Sequence, residues 1–188
     1  GDLSRFEARY YIKLGDSSIQ CLLCPWQCTV APGERGRCKT RKNIDGTYYS
    51  LIYGRIAAQH VDPVEKKPFY HFIPGSRVFS LATAGCNLDC KFCQNWTLAR
   101  QLPDDLPNQY FEPGDVSGFA KKVRAPLIAY TYNEPTVYNE FITDATRIAK
   151  EAGLKTVLVS NGFIRQKPLK ELCTLIDAYK VDLKSFSQ

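Results

Sequence analysis

Apolar and polar residues change rhythm near residue 77. From there on, short apolar runs alternate with apolar stripes of helical period, as strands and helices taken in turn would. The runs Val78 to Ala84, Leu127 to Tyr132, Thr156 to Ser160 and Tyr179 to Leu183 predict four strands. Between them, Val116, Phe119, Ala120 and Val123 fall at i, i+3, i+4 and i+7 behind Asp115, placed as a cap. Val137, Phe141, Ala145, Ile148, Ala149 and Ala152 line one face of a second helix, which Gly153 can end. Leu169, Leu172, Cys173 and Ile176 make a third stripe after Pro168, and this places Cys173 in the core. The alternation predicts an α/β fold with a parallel sheet over residues 77–188. Asp182 and Lys184 share one face of the last strand, opposite Tyr179, Val181 and Leu183, and charges on an inward face need a reason.

Residues 1–76 carry no helical period and are broken by turn signals at Gly15-Asp16, Pro32-Gly33, Asp45-Gly46, Asp62-Pro63 and Pro74-Gly75. A separate N-terminal module of short strands and loops is expected, with a hairpin from Tyr10 to Leu14 and Ile19 to Cys21. Thr47 to Tyr53 and Arg55 to Val61 read as further strands.

Seven of the eight cysteines fall in two groups. Cys86, Cys90 and Cys93 follow the first predicted strand with gaps of three and two residues, a spacing that lets a short loop present three thiolates to one iron–sulfur cluster. A structural zinc would need a fourth ligand, and no Cys or His follows in sequence until Cys173. Three ligands to a cubane leave one iron open for a substrate or cofactor. Cys21, Cys24, Cys28 and Cys38 form the other group, and four soft ligands suit a closed zinc site or a second iron–sulfur cluster. Tight grouping without a secretion signal argues for metal ligation in a reducing compartment rather than for disulfides.

The Cys-x3-Cys-x2-Cys loop, with Phe92 before its last cysteine, resembles that of the radical S-adenosylmethionine superfamily. The segments Cys21 to Cys28, Gly33 to Cys38, Val61 to Pro68 and Tyr130 to Thr136 resemble the AmmeMemoRadiSam-system radical enzymes, relatives of pyruvate formate-lyase activating enzyme. The resemblance implies the first four units of a partial (β/α)6 barrel, with the C-terminal units missing and the last strand left as an open edge. It also implies a [4Fe-4S] cluster on Cys86, Cys90 and Cys93, and S-adenosylmethionine as cofactor. The expected reaction is reductive cleavage to methionine and a 5′-deoxyadenosyl radical, which takes hydrogen from an unknown substrate. Phe92 and Asn95 beside the cluster, Glu134 at the second strand, Ser160 and Asn161 at the third, and Asp182 and Lys184 at the fourth are the candidate cofactor-binding residues. For Phe92 a place in the core is the alternative, for Glu134 helix capping, and for Ser160-Asn161-Gly162 a plain turn. His60 and His71, the only histidines, flank Glu65, Lys66 and Lys67 and stand as candidates on the substrate side. Expected partners are an electron donor such as flavodoxin or ferredoxin and a protein or small-molecule substrate.

Composition narrows the picture further. The chain has 188 residues, 44% hydrophobic, enough for one domain or a module and a larger domain. No apolar run approaches the roughly 20 residues that span a bilayer, so a cytoplasmic protein without a membrane partner is expected. Methionine is absent and the chain starts at Gly1, which suggests that the natural start is missing or replaced. Part of the formal charge of +6 sits in Arg35, Arg37, Lys39, Arg41 and Lys42, a run that reads first as solvated surface. Two other readings remain: an activating enzyme that makes a glycyl radical on a partner protein, and a zinc-ribbon module binding nucleic acid from an α/β scaffold. Nucleic acid is not the expected partner, since that last reading leaves the Cys86 loop without a purpose.

Overall fold

The computed structural model describes residues 5–186; residues 1–4 and 187–188, the outermost parts of the two expected segments, lie outside the described residues. At its centre is a five-stranded mixed sheet. Its strands are β1 (Ala58–Pro63), β2 (Arg77–Ala82), β3 (Leu127–Tyr130), β4 (Lys155–Ser160) and β5 (Ala178–Val181). They lie side by side in chain order, β2 to β5 parallel and β1 antiparallel to β2. Helices α1 (Trp96–Arg100) and α2 (Pro113–Lys122) connect β2 to β3, α3 (Asn139–Glu151) connects β3 to β4, and α4 (Gln166–Cys173) connects β4 to β5. No helix among the described residues is long and apolar enough to cross a membrane.

Strand alternation divides the core into two layers. Phe79, Leu81, Ile128, Tyr130 and Leu158 meet Val116 and Ala120 of α2 and Phe141, Ile142, Ala145 and Ala149 of α3. On the other face Val78, Leu127, Ala129 and Val157 are covered by Val64 and Phe69, with Phe72 packed alongside. At roughly 25 cal/mol per Å² of apolar surface, burial in these two layers is the main force holding the helices to the sheet. Each parallel strand therefore ends on the same edge of the sheet and releases its loop there.

The N-terminal residues form short antiparallel pieces. Tyr11–Lys13 pairs with Ile19–Cys21, as the turn between them predicts. Arg41–Ile44 pairs with Thr47–Ser50 across Asp45 and Gly46, whose φ values of 51° and 81° suit a tight hairpin of the primed kind. The expected strand from Arg55 to Val61 is instead two pieces, Arg55–Ile56 and β1, and the second extends the central sheet. Ile52 and Ile56 also share the main core.

Four other expectations change. Arg41 is not on the surface: it is buried, with Nη1 and Nη2 on the Glu140 carboxylate at 2.8 and 2.5 Å and Nη2 also on the Val137 carbonyl at 3.1 Å. A hairpin strand alternates its faces, so Arg41 turns inward while Lys42 does not. Cys173 is exposed rather than core, because it is the last residue of α4 and lies one step round from the buried Leu172. The N-cap of α2 is Glu112; Asp115, three residues in, accepts the Glu112 N–H at 2.8 Å, as in a capping box. Finally, β3 stops at Tyr130, and Tyr132 takes φ +71°, a left-handed conformation uncommon for a non-glycine residue.

Candidate active site

The loops leaving the ends of β2, β3, β4 and β5 meet around one cleft of about 330 Å³. Cys86, Cys90, Phe92, Cys93 and Asn95 line it from the first loop, Glu134 from the second, Ser160 and Asn161 from the third, and Asp182 and Lys184 from the last. All of the residues expected to bind the cluster and the cofactor are thus brought to one place. This is the edge at which parallel α/β sheets bind ligands.

The cysteine loop is shaped by neighbours far away in sequence. Asn133 donates from Nδ2 to Thr83 Oγ1, Ala84 O and Gly85 O at 3.0, 3.3 and 2.9 Å, and its Oδ1 accepts the Thr83 N–H at 3.2 Å. Gly85 takes φ +87°, where a Cβ would collide with the Thr40 methyl and reach 2.8 Å from the Cys38 carbonyl. Only glycine fits there without displacing the N-terminal segment. After the cysteines, Asn95 donates to the Tyr132 carbonyl at 2.9 Å, and Arg100 donates to the Cys90 carbonyl at 2.6 Å.

Burial pushes the Cys86 thiol up to about 12; the Leu88 N–H, 3.4 Å from Sγ, pulls it down, and the nearby Glu134 charge adds to the rise. Asn161 Nδ2 also stands 4.0 Å from Cys86 Sγ. Among the described residues no three His, Cys, Asp or Glu side chains are gathered at metal-ligand spacing. The donor set nevertheless fits an iron–sulfur cluster: three thiols on one cleft wall, with N–H groups beside one of the sulfurs that would carry negative charge.

Glu134 is buried and receives four hydrogen bonds. Oε1 accepts from Thr136 N, Thr136 Oγ1 and Ser160 Oγ at 2.9, 2.7 and 2.6 Å, and Oε2 accepts from Asn161 N at 2.8 Å. Burial raises its carboxyl above the usual range, and these donors hold back part of the rise. It does cap the turn Pro135–Tyr138, as the alternative reading had it, yet it also borders the cleft with Oε2 less encumbered than Oε1. The Ser160 loop is likewise both things: Gly162 turns at φ +72°, while Ser160 and Asn161 line the cleft. Phe92 is not core; it is 71% exposed at the cleft wall, on a loop with no layer above it.

His60 and His71 are exposed and do not line the cleft. Between them the chain instead supplies a group that sequence reasoning missed. Asp62 accepts from Lys66, Lys67 and Tyr132 at 2.8, 2.8 and 3.0 Å, and Lys67 also donates to the Tyr132 hydroxyl at 2.9 Å. Tyr132 carries this network to the cleft, and the early signals were the charged run from Asp62 to Lys67 and the family-like segments Val61 to Pro68 and Tyr130 to Thr136 that contain its members. The N-terminal cysteines line a different, smaller void, to which Asn87 of the Cys86 loop also contributes.

Residues 80–188, more than half of the chain, match the Radical SAM superfamily. The chain is 44% identical over 178 residues to the uncharacterized protein MJ0808 of Methanocaldococcus jannaschii, covering 95% of this chain and 53% of that protein. It is 24% identical over 170 residues to the uncharacterized protein MJ0674 of the same organism, covering 87% of this chain and 45% of that one. A third protein of that organism, MJ1632, provisionally named as a glycyl-radical enzyme activating enzyme, is 25% identical over 111 residues, 58% of this chain and 40% of its own length. The chain thus spans about half the length of the curated relatives it matches.

Proposed function

Because this chain belongs to the Radical SAM superfamily, we propose that it is the cluster-bearing part of an enzyme that cleaves S-adenosylmethionine reductively, with its sheet forming part of a (β/α)6 barrel. The observation that carries the proposal is the convergence of Cys86, Cys90 and Cys93 with Glu134, Ser160, Asn161, Asp182 and Lys184 on one cleft. A [4Fe-4S] cluster held by the three thiolates would supply one electron to the sulfonium, giving methionine and a 5′-deoxyadenosyl radical that takes hydrogen from the substrate.

The chain's own residues bind and orient. Glu134 Oε2, with a single protein donor, can accept an ammonium hydrogen, since a carboxylate oxygen has two lone-pair sites. Asn161, fixed on Asn87 Oδ1 at 2.9 Å, holds a side-chain amide between that position and Cys86. Lys184, paired with Asp182 at 3.2 Å, can turn toward a carboxylate or ribose in the cleft. Asn95 and Arg100 hold the cysteine loop closed against Tyr132 and Cys90.

The test is anaerobic reconstitution of the full protein with iron and sulfide, then reduction in the presence of S-adenosylmethionine. Formation of 5′-deoxyadenosine and methionine, abolished by Cys90→Ala, is expected; a brown, reducible protein that yields neither refutes the proposal. The name of MJ1632 favours one narrower version, hydrogen abstraction from a glycine of a partner protein; flavodoxin or ferredoxin is the reductant proposed for it. Deuterium moving from a glycine-labelled partner into 5′-deoxyadenosine would support it, and deuterium arriving only from a small molecule would exclude it.

A further inference from the structure

The second cysteine group is assembled from three separate pieces of chain. Cys21 ends the strand Ile19–Cys21, Cys24 and Cys28 flank the next turn, and Cys38 precedes the hairpin strand Arg41–Ile44. All four border one void of about 20 Å³, walled also by Trp26, Arg41 and Tyr48. A void of this size admits roughly one water-sized body. A single cation fits it; an eight-atom cubane would have to force the walls apart.

Arg41 adds an independent observation. Its side chain is 1% exposed and borders the same void, and its η nitrogens are occupied by Glu140 and Val137, yet its buried Nε has no hydrogen-bond partner among the described residues. Buried donors are rarely left unpaired, and each costs about 1–3 kcal/mol of desolvation if it is. A negatively charged acceptor in the void would complete the guanidinium, and a metal-bound thiolate is one.

We propose that Cys21, Cys24, Cys28 and Cys38 bind one zinc ion as a closed tetrathiolate site, with Arg41 offsetting its charge through a hydrogen bond from Nε to a ligand sulfur. The thiols border the void without being gathered at ligand spacing, so binding turns them inward and releases their protons. The site stands behind the cluster loop: Trp26 Nε1 donates to the Asn87 carbonyl at 2.7 Å, and Asn87 follows Cys86. Zinc would thereby stiffen the wall against which the Cys86 loop rests.

The test uses the full protein carrying Cys86→Ala, Cys90→Ala and Cys93→Ala, so that it does not depend on S-adenosylmethionine cleavage. Purified anaerobically, this variant is expected to retain about one zinc per chain and no iron, as a closed four-thiolate site should. Adding Cys24→Ser and Cys38→Ser should remove the zinc. Should those additions prevent folding, cobalt titration of the three-alanine variant decides alone: intense sulfur-to-cobalt absorption with tetrahedral visible bands, displaced by zinc, is expected. A three-alanine variant that holds neither zinc nor thiolate-bound cobalt overturns the proposal, and so does one that stays brown with iron and sulfide.

Discussion

Arg41 and Glu140 are each about 1% exposed, so both charges have left water almost completely. Burial alone would push the Glu140 carboxyl up, but the Arg41 charge and its hydrogen bonds outweigh that and hold it below the usual range. A pair of this kind adds little over an apolar isostere, whereas breaking it strands one buried charge. Arg41→Met should therefore cost about 3–5 kcal/mol in urea unfolding, and Arg41→Met with Glu140→Leu should recover only part of it, since Arg41 also serves the Val137 carbonyl and Glu140 the Arg9 N–H. A single variant as stable as the parent would show that the pair is not buried in solution. At Asp62, burial also opposes the charge, yet hydrogen bonds from Lys66, Lys67 and Tyr132 hold the carboxyl well below the ordinary range. A depressed folded pKa contributes stability above the unfolded value, near 4, and loses it as pH falls toward the folded one. The destabilisation by Asp62→Asn should thus be full at pH 7 and shrink below about pH 4; a pH-independent difference would contradict the network.

At the scale of elements, the cysteine loop depends on what it touches more than on its own sequence. Gly85 packs against Thr40 and Cys38, and Asn133 ties together the three residues before Cys86. A strain-free glycine-to-alanine change stabilises by up to about 1 kcal/mol, whereas Gly85→Ala, at φ +87°, should destabilise by more than that and reduce iron retention after reconstitution. Asn133→Leu should act in the same direction, because it takes their partner from the buried Thr83 N–H and Gly85 carbonyl. Circular dichroism melts and iron counts on the same samples check both; normal iron content in either variant would mean that the loop holds its shape unaided.

Across the whole molecule, the strand-helix alternation after residue 77 was legible because apolar periodicity is local, and so were the two cysteine groups, because their spacing is. The last strand is shorter than its apolar pattern predicts: it stops at Val181, so Asp182 and Lys184 reach the cleft from the loop beyond it rather than from a shared strand face. What the sequence concealed are contacts between residues far apart. Arg41 pairs with Glu140 99 positions away, Tyr132 reaches Asp62 across 70, and Asn133 shapes the loop 48 residues before it. Nothing in a run of charges distinguishes the buried Arg41 from its exposed neighbour Arg37, and exposure of Phe92 and Cys173 depends on which layer covers them. The central claim is that Cys86, Cys90 and Cys93 would hold a [4Fe-4S] cluster in the cleft that Glu134 and Asn161 also line, and that this cluster would bind the amino group of S-adenosylmethionine. Electron–nuclear double resonance on the reduced, reconstituted full protein with S-adenosylmethionine labelled by nitrogen-15 at its amino group tests it directly. The account predicts nitrogen hyperfine coupling to the cluster that is lost in Cys90→Ala; a normal reduced cluster without that coupling, or zinc filling the three thiolates, would contradict it.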